Sequence, residues 1–213
     1  MSKDLTPSKA RIFRITHRSN LRWILENGLH CANSERSDPN FVQIGNAELI
    51  QRRRHRELPK PFGGFLSDYV PFYFTPFSPM MYNIYTGYAG ITKQRNEDII
   101  ILASSIHKLR ELAVPFVFSD RHAYLEAATF SNNIDDLNKL DWDILQRRDF
   151  RNDPDDPAKL ERYQAEALVQ QHVPVEALLG VACYNEVALA TINEDMAAVG
   201  VTVNMAILPG WYF

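Results

Sequence analysis

The densest cluster of charge in the sequence is Arg52-Arg53-Arg54-His55-Arg56. Guanidinium groups suit phosphate binding, because each presents several N–H donors in a planar fork. On a helix, Arg52 and Arg56 share one face while Arg54 points elsewhere, so the cluster also fits a solvated face of like charges. An irregular segment precedes it and a Gly-Gly turn follows it. This arrangement predicts a flap that can close on a ligand.

A second candidate is the carboxylate of Glu166 in Gln164-Ala165-Glu166, which opens a predicted strand after an acidic loop. A fixed carboxylate can stabilise positive charge that develops on a substrate. A carboxylate at the start of a strand is more often merely exposed, and a pattern with two fixed residues is weak without its context.

Aromatic residues crowd the segment from Tyr69 to Phe77. Phe72 and Phe74 have strand spacing and are predicted to lie in the core. Tyr73 lies on the opposite face of the same strand. Its ring is therefore a candidate for stacking on a planar ligand such as a nucleic-acid base.

Common cofactor and hydrolase motifs are missing. The sequence contains no G-x-G-x-x-G, G-x-x-x-x-G-K-[ST], H-E-x-x-H or G-x-S-x-G. Its six histidines lack metal-ligand spacing, and its two cysteines cannot form a disulfide framework or a four-thiolate zinc site. We therefore expect no metal. No apolar run approaches the ~20 residues that span a bilayer, and the polar N-terminus is unlike a signal peptide, so we expect a cytoplasmic protein without membrane contact.

Charge is distributed unevenly along the chain. The whole sequence has a net charge of −3, but residues 1–60 hold 12 Lys and Arg against 6 Asp and Glu, a net charge of +6, which leaves −9 for residues 61–213. This asymmetry predicts a positive face that binds phosphates, either of a cofactor or of a polymer.

Short strands and helices that do not alternate strictly predict a single α+β domain. Strands are predicted at residues 11–16, 69–75, 99–104, 114–118, 166–169, 181–184 and 201–207, and helices at residues 19–26, 47–56, 79–85, 175–179 and 185–197, with one more ending at 160–163. Residues 121–159 are predicted to form a long excursion with local helix, in which Arg147, Arg148 and Arg151 cluster.

Four segments together resemble the DarT family. They are RITHRSNLRWILENGLHC, the arginine-rich helix followed by GGFLSDYVPFYFTPFSPMMYNIYTG, VPFVFSDRHAYL, and ERYQAEALV. The resemblance extends from about Arg11 to Gly210-Trp211-Tyr212, and the order of DYVPFYF-x-P-x-SPM and a late Q-A-E makes it specific. DarT enzymes are toxins that transfer ADP-ribose from NAD to thymine in single-stranded DNA, and a macrodomain antitoxin reverses the modification.

The resemblance implies an ADP-ribosyltransferase fold, in which NAD lies in a cleft between two small split β-sheets. It implies an NAD-binding element at about residues 34–56 and a substrate-recognition loop at about residues 122–166. The implied catalytic residues are Arg54 and Glu166, and the implied NAD contacts are Arg14, Ile15, Thr16, Trp23 and Arg54. The expected nucleic-acid contacts are His122, Tyr73, Met80, Arg147, Arg148 and Arg151.

The implied chemistry is consistent with these residue types. Breaking the bond to nicotinamide passes through an oxocarbenium-like ribosyl cation, which the carboxylate of Glu166 would stabilise. Arg54 would neutralise the diphosphate, orient the base or stabilise deprotonated thymine N3, and His122 or Glu166 would assist the proton transfer. Two alternatives are an ADP-ribosyltransferase that modifies RNA or protein, and a catalytically silent nucleic-acid-binding domain.

Overall fold

The computed structural model describes residues 4–213, which form an eight-stranded sheet, a two-stranded sheet and seven α-helices. The strands are β1 Arg11–His17, β2 Leu29–His30, β3 Tyr69–Tyr73, β4 Ile99–Ser105, β5 Phe116–Ser119, β6 Phe130–Ser131, β7 Glu166–Gln170, β8 His172–Val173, β9 Gly180–Cys183 and β10 Met205–Ile207. The helices are α1 Leu21–Asn27, α2 Ala47–Arg53, α3 Pro79–Thr86, α4 Ile106–Glu111, α5 Trp142–Arg147, α6 Lys159–Tyr163 and α7 Glu186–Val199. The predicted α+β fold class is confirmed.

The large sheet is divided between β1 and β3. Its strand order is β10-β9-β4-β1-β3-β7-β5-β6. β1 pairs with β4 along its whole length, whereas its ladder with β3 is confined to one residue pair, Phe13 and Tyr73. Beside this junction the Arg14 guanidinium donates a hydrogen bond to the carbonyl of Pro71 at 3.0 Å. The expected split pair of sheets is therefore one sheet whose two halves meet at a single residue pair.

Two apolar clusters pack against this sheet. The larger one contains Phe72 and Phe74, as predicted, together with the buried residues 99–102 of β4. The smaller one consists of Leu58, Leu66, Tyr69, Val117, Ala123 and Leu168. Leu168 lies two residues after Glu166 and so shares its strand face, which places the smaller cluster directly beside that carboxylate.

Helix α2 lies at the surface and buries its apolar residues only in part. Asn46 caps it as predicted, since its side chain accepts a hydrogen bond from the Leu49 amide at 2.8 Å. The helix ends at Arg53, three residues earlier than predicted, because the next three amides bond three residues back, at 3.1 to 3.3 Å. None of its seven residues is buried. Polar contacts at its C-terminal end therefore act together with the partly buried Leu49 and Ile50 in holding it.

The remaining boundaries differ from prediction mainly at the ends of elements. Helix α1 begins at Leu21, two residues later than predicted, and the last strand is shortened to Met205–Ile207. The excursion after residue 121 contains β6, α5 and α6. No helix among residues 4–213 has the length and apolar character needed to cross a membrane.

Gly28 is a position at which the addition of a single methyl group should strongly destabilise the fold. Its φ is +79°, and a Cβ built there would lie 2.3 Å from Nε2 of His172 and 2.6 Å from the carbonyl of Val173. We expect Gly28→Ala to lower the free energy of unfolding by more than about 2 kcal/mol, measured by urea denaturation. Gly63→Ala is the matched control, because φ is +68° there but no atom lies within 4 Å. Equal costs in the two variants would show that the close approach at Gly28 has no effect.

Candidate active site

The centre of the site is a buried ion pair between Glu166 and Arg53. Glu166 opens β7 and is 1% exposed. Arg53 ends α2, and its two terminal nitrogens donate to the two carboxylate oxygens at 3.0 and 2.8 Å. This bidentate geometry fixes the plane of the carboxylate as well as its position. It also joins α2 to the sheet.

Three groups from the end of β5 and the segment after it complete the environment of Glu166. The Ala123 amide donates to Oε1 at 3.0 Å, and Nδ1 of His122 lies 3.6 Å from the same oxygen. The Glu166 amide donates to the Ser119 hydroxyl at 3.3 Å. Burial raises the pKa of Glu166, but the charge of Arg53 and the hydrogen bonds donated by Arg53 and Ala123 oppose it, and the pKa lies below its usual value. Glu166 is therefore a carboxylate at neutral pH.

Two further residues from the divided part of the sheet face this pair. Tyr73 lies opposite Glu166 in the β3–β7 ladder, and burial together with the carboxylate charge raises its pKa. Arg14 lies across the division, where burial and the charge of Arg53 lower its pKa to about 10. Its Nε is buried without a hydrogen-bond partner among the described residues. Arg14, Tyr73, Arg53 and Glu166 thus form one polar cluster beside the division of the sheet, and we call this place the cleft.

The structure places Arg53, not Arg54, on Glu166. Arg54 is the C-cap residue of α2 and its side chain is exposed. One helical step rotates a side chain by about 100°, so adjacent arginines cannot both face the same carboxylate. The sequence did contain a signal for Arg53, since it follows the partly buried Leu49 by four residues and Ile50 by three.

The other residues implied as NAD contacts lie along β1 and α1. Ile15 and Thr16 are buried, and the Thr16 hydroxyl accepts a hydrogen bond from Asn20 at 2.9 Å. Trp23 is half-buried on α1, with its ring 5.5 Å from that of His30. These residues lie on the β1 side of the division, and Glu166 lies on the β3 side.

The residues expected to contact nucleic acid fall into two groups. His122 and Tyr73 lie beside Glu166, whereas Met80 lies half-buried in the first turn of α3. The arginines form the second group. Arg147 is exposed, Arg148 donates to the Gly210 carbonyl at 2.9 Å, and Arg151 is paired with Asp149 at 2.8 Å.

This cleft presents one fixed carboxylate, two guanidinium groups, a phenol and an imidazole. Such a set can stabilise a cationic carbon with the carboxylate and bind phosphate oxygens with the guanidinium groups. Within residues 4–213, no three His, Cys, Asp or Glu side chains are grouped so that they could hold a metal ion.

His122 should make stability depend on pH. Burial lowers its pKa, the charge of Arg53 adds to this effect, and Glu166 opposes it. The unfolded chain therefore binds a proton below about pH 6.5 where the folded chain does not, and the free energy of unfolding decreases as pH falls through this range. We expect His122→Gln to flatten this decrease, measured by urea denaturation between about pH 5 and pH 8. His55 is exposed, so a His55→Gln variant that flattened the profile equally would contradict the assignment.

Comparisons with known proteins agree on one family. The family model described as "ssDNA thymidine ADP-ribosyltransferase, DarT" matches residues 13–213. A protein of Escherichia coli O127:H6 (strain E2348/69 / EPEC), named DNA ADP-ribosyl transferase, is 49% identical over 212 residues, which are 100% of this chain and 97% of that protein.

Solved structures give the same result. Thermus sp. 2.9 DarT in complex with ADP-ribosylated ssDNA superposes with a TM-score of 0.89 at 33% identity and covers 98% of each chain. Thermus sp. 2.9 DarT in complex with NAD+ gives a TM-score of 0.84 at 32% identity, over 98% of this chain and 100% of that one. The sequence match along nearly the whole chain and the shared fold show that this protein belongs to the DarT family of DNA ADP-ribosyltransferases.

Proposed function

We propose that this protein transfers ADP-ribose from NAD to thymine in single-stranded DNA, and that Glu166 and Arg53 are the groups on which the reaction depends. The observation that carries the proposal is the buried bidentate pair between them in the cleft of the divided sheet. One relative, Thermus sp. 2.9 DarT, supports it, since its solved structures are complexes with NAD+ and with ADP-ribosylated ssDNA.

The residues of the cleft suit NAD as a substrate. Arg14 has a buried Nε without a hydrogen-bond partner among the described residues, and both Arg14 and Arg53 bring positive charge to the cleft. They would hold the diphosphate, with Trp23 and the backbone around Thr16 on the same side of the division. We keep residues 34–56 as the NAD-binding element of a single domain.

In this proposal the reaction exchanges one glycosidic bond for another. The bond from the ribose carbon to nicotinamide breaks, and a bond from that carbon to thymine N3 forms. Positive charge on the ribose peaks between the two events, and the Glu166 carboxylate stabilises it at that stage. Arg53 keeps Glu166 ionised and in one orientation, because it lowers the pKa of that carboxyl.

Thymine N3 must lose its proton before it attacks, and His122 and Glu166 are the two candidate acceptors. The Tyr124 amide donates to Nδ1 of His122 at 3.2 Å, so the neutral ring carries its proton on Nε2. In that tautomer His122 is a donor suited to a thymine carbonyl. We therefore assign proton removal to Glu166 and recognition of the base to His122.

The biological role follows from the substrate. ADP-ribosylated thymine would block replication, and a macrodomain antitoxin, the partner that the family resemblance implies, would remove the modification. We place the reaction in the cytoplasm, where NAD and DNA meet. The two cysteines, Cys31 and Cys183, are both buried and free, in keeping with a reducing compartment.

The deciding experiment offers the enzyme several acceptors at once. The protein is incubated with NAD and equal pools of single-stranded DNA, duplex DNA, RNA and denatured protein, and mass spectrometry then identifies which polymer gains ADP-ribose. We expect the label on thymine in single strands, because a paired base would first have to be unstacked. Labelling of RNA or protein would replace the proposed acceptor, and nicotinamide release without labelling of any polymer would refute transfer.

A further inference from the structure

Four aromatic rings form a partly exposed cluster outside the cleft. They belong to Phe77, Tyr82, Phe150 and Phe213, and we call them the aromatic surface. The ring of Phe213 lies 4.1 Å from Phe77, 5.2 Å from Tyr82 and 6.0 Å from Phe150. Tyr82 is 40% exposed and the other three are half-buried. Rings from three parts of the chain are thus brought together at the surface, and of these Phe213 also packs against the core.

Packing contacts connect the aromatic surface to the chain segment that leads into Glu166. The buried Tyr163, three residues before Glu166, donates from its hydroxyl to the carbonyl of Phe77 at 2.7 Å, and its ring lies 5.5 Å from that of Phe150. Met80 begins the same helix as Tyr82, and a Cβ built on Gly45 would lie 3.6 Å from its methyl group. Helix α3 therefore leads from the segment before α2 to the aromatic surface.

One cation lies against these rings, and two more lie within a few residues of Phe150 in the sequence. The Arg148 guanidinium lies 5.4 Å from the centre of the Phe77 ring. Arg147 is exposed, and Arg151 projects into solvent with 85% of its side chain exposed while it pairs with Asp149. Residues 147–151 hold three arginines and one aspartate, a net charge of +2, whereas residues 152–161 hold four acidic side chains and one basic one. Aromatic faces interleaved with cations are typical of surfaces that bind single-stranded nucleic acid.

We propose that the aromatic surface binds the nucleotides that flank the modified thymine, with bases stacked on Tyr82 and Phe150 and phosphates held by Arg147 and Arg151. The inference rests on the proposed function in taking single-stranded DNA as the substrate. Stacking on flat rings explains why they remain partly exposed, and the arginines complement a polyanion rather than an apolar protein segment.

The test measures binding without NAD, so that no transfer takes place. A labelled DNA strand of about 15 nucleotides with one central thymine is titrated with protein, and fluorescence anisotropy gives the Kd. We expect Tyr82→Ala to weaken binding roughly tenfold, because stacking is lost for one base. Tyr82→Phe keeps the ring and should bind like the wild type. Tyr88→Ala is the matched control, since Tyr88 is 66% exposed and lies outside the cluster. Thermal unfolding of each variant verifies that it is folded.

A second strand separates stacking from charge. It has the same length and the same central thymine but carries abasic sites on both sides. The wild type should bind it more weakly, and Tyr82→Ala should then have no further effect. In contrast, Arg147→Gln should weaken both strands and reduce the salt dependence of log Kd by about 0.7, the value for one contact to a single-strand phosphate.

Each result decides the proposal. It is overturned if Tyr82→Ala binds the intact strand as tightly as the wild type, if it weakens both strands equally, or if the wild type binds neither strand. A Tyr82→Ala variant that binds DNA normally but no longer binds a partner protein would assign the surface to that protein instead. If the wild type binds the strand through Tyr82 but never transfers ADP-ribose to it, the proposed function fails while the binding surface stands.

Discussion

Glu166→Gln should lower the rate of ADP-ribose transfer by at least about 10² to 10³, the effect of removing one electrostatic stabiliser of a transition state, and by more if Glu166 also removes the thymine proton. The variant keeps the volume of the side chain but not its charge. Nicotinamide release and DNA labelling, measured on the same sample, report the loss. Glu161→Gln is the matched control, because Glu161 lies on α6 and pairs with Arg121 outside the cleft. Full activity of Glu166→Gln would refute both the site and the mechanism.

The structure also predicts that replacing Glu166 lowers the stability of the fold. A residue at a strand entrance could be replaced without cost if it were exposed, but Glu166 is buried and accepts bonds from Arg53 and Ala123. Removing its charge leaves Arg53 buried without a counterion, which costs about 3 to 5 kcal/mol. The double variant Arg53→Met, Glu166→Gln leaves no such charge, so its melting temperature should recover while transfer stays absent. Loss of activity with a recovered fold would separate the chemical role of the pair from its structural one.

Arg53→Ala should reduce transfer by about 10² or more, comparable to the loss of other preorganised charge-stabilising groups. With Arg53 absent, burial raises the pKa of Glu166 and the charge that opposed it is gone. A smaller fraction of Glu166 is then ionised at a given pH, so the acidic limb of the rate profile should move to higher pH. Rates of nicotinamide release between about pH 5 and pH 9 measure this shift.

Arg54→Ala decides between the two arginines. Because Arg54 is exposed at the end of α2, we expect its replacement to change the rate by no more than about threefold and to leave the pH profile in place. Arg53→Lys should fall between Arg53→Ala and the wild type, since an ammonium cannot reproduce the bidentate contact. A large loss in Arg54→Ala with an active Arg53→Ala would restore the assignment made from the sequence.

Local patterns predicted most of the strands and the start of α2. The alternation from residue 11, the apolar run from residue 99 and the Asn46 cap correspond to β1, β4 and α2. These features depend on neighbours in sequence, and their physical causes are visible in the chain itself. The end of α2 was placed three residues too late, because the tightening of its last turn accompanies the contact of Arg53 with a residue 113 positions away.

The carboxylate of the site was predictable from the sequence, but the groups that surround it were not. Glu166 stands in a recognisable segment, and its position opposite Tyr73 follows once the β3–β7 register is known. The Ala123 amide donor and the tautomer of His122 depend on how the chain turns after β5, which no spacing in the sequence reports. The arginines near residue 148 were predicted from charge, whereas the aromatic surface beside them gathers rings from distant segments.

Helix α2 buries none of its residues, and its C-terminal Arg53 reaches the sheet through one ion pair. We expect such a helix to leave and return without unfolding the core, which would divide the protein between a competent population with α2 docked and an idle one without it. The apparent affinity for a substrate is the intrinsic affinity reduced by the idle fraction. A substrate that contacts both Arg53 and β7 therefore favours the docked state. Its binding brings Arg53 and Glu166 together.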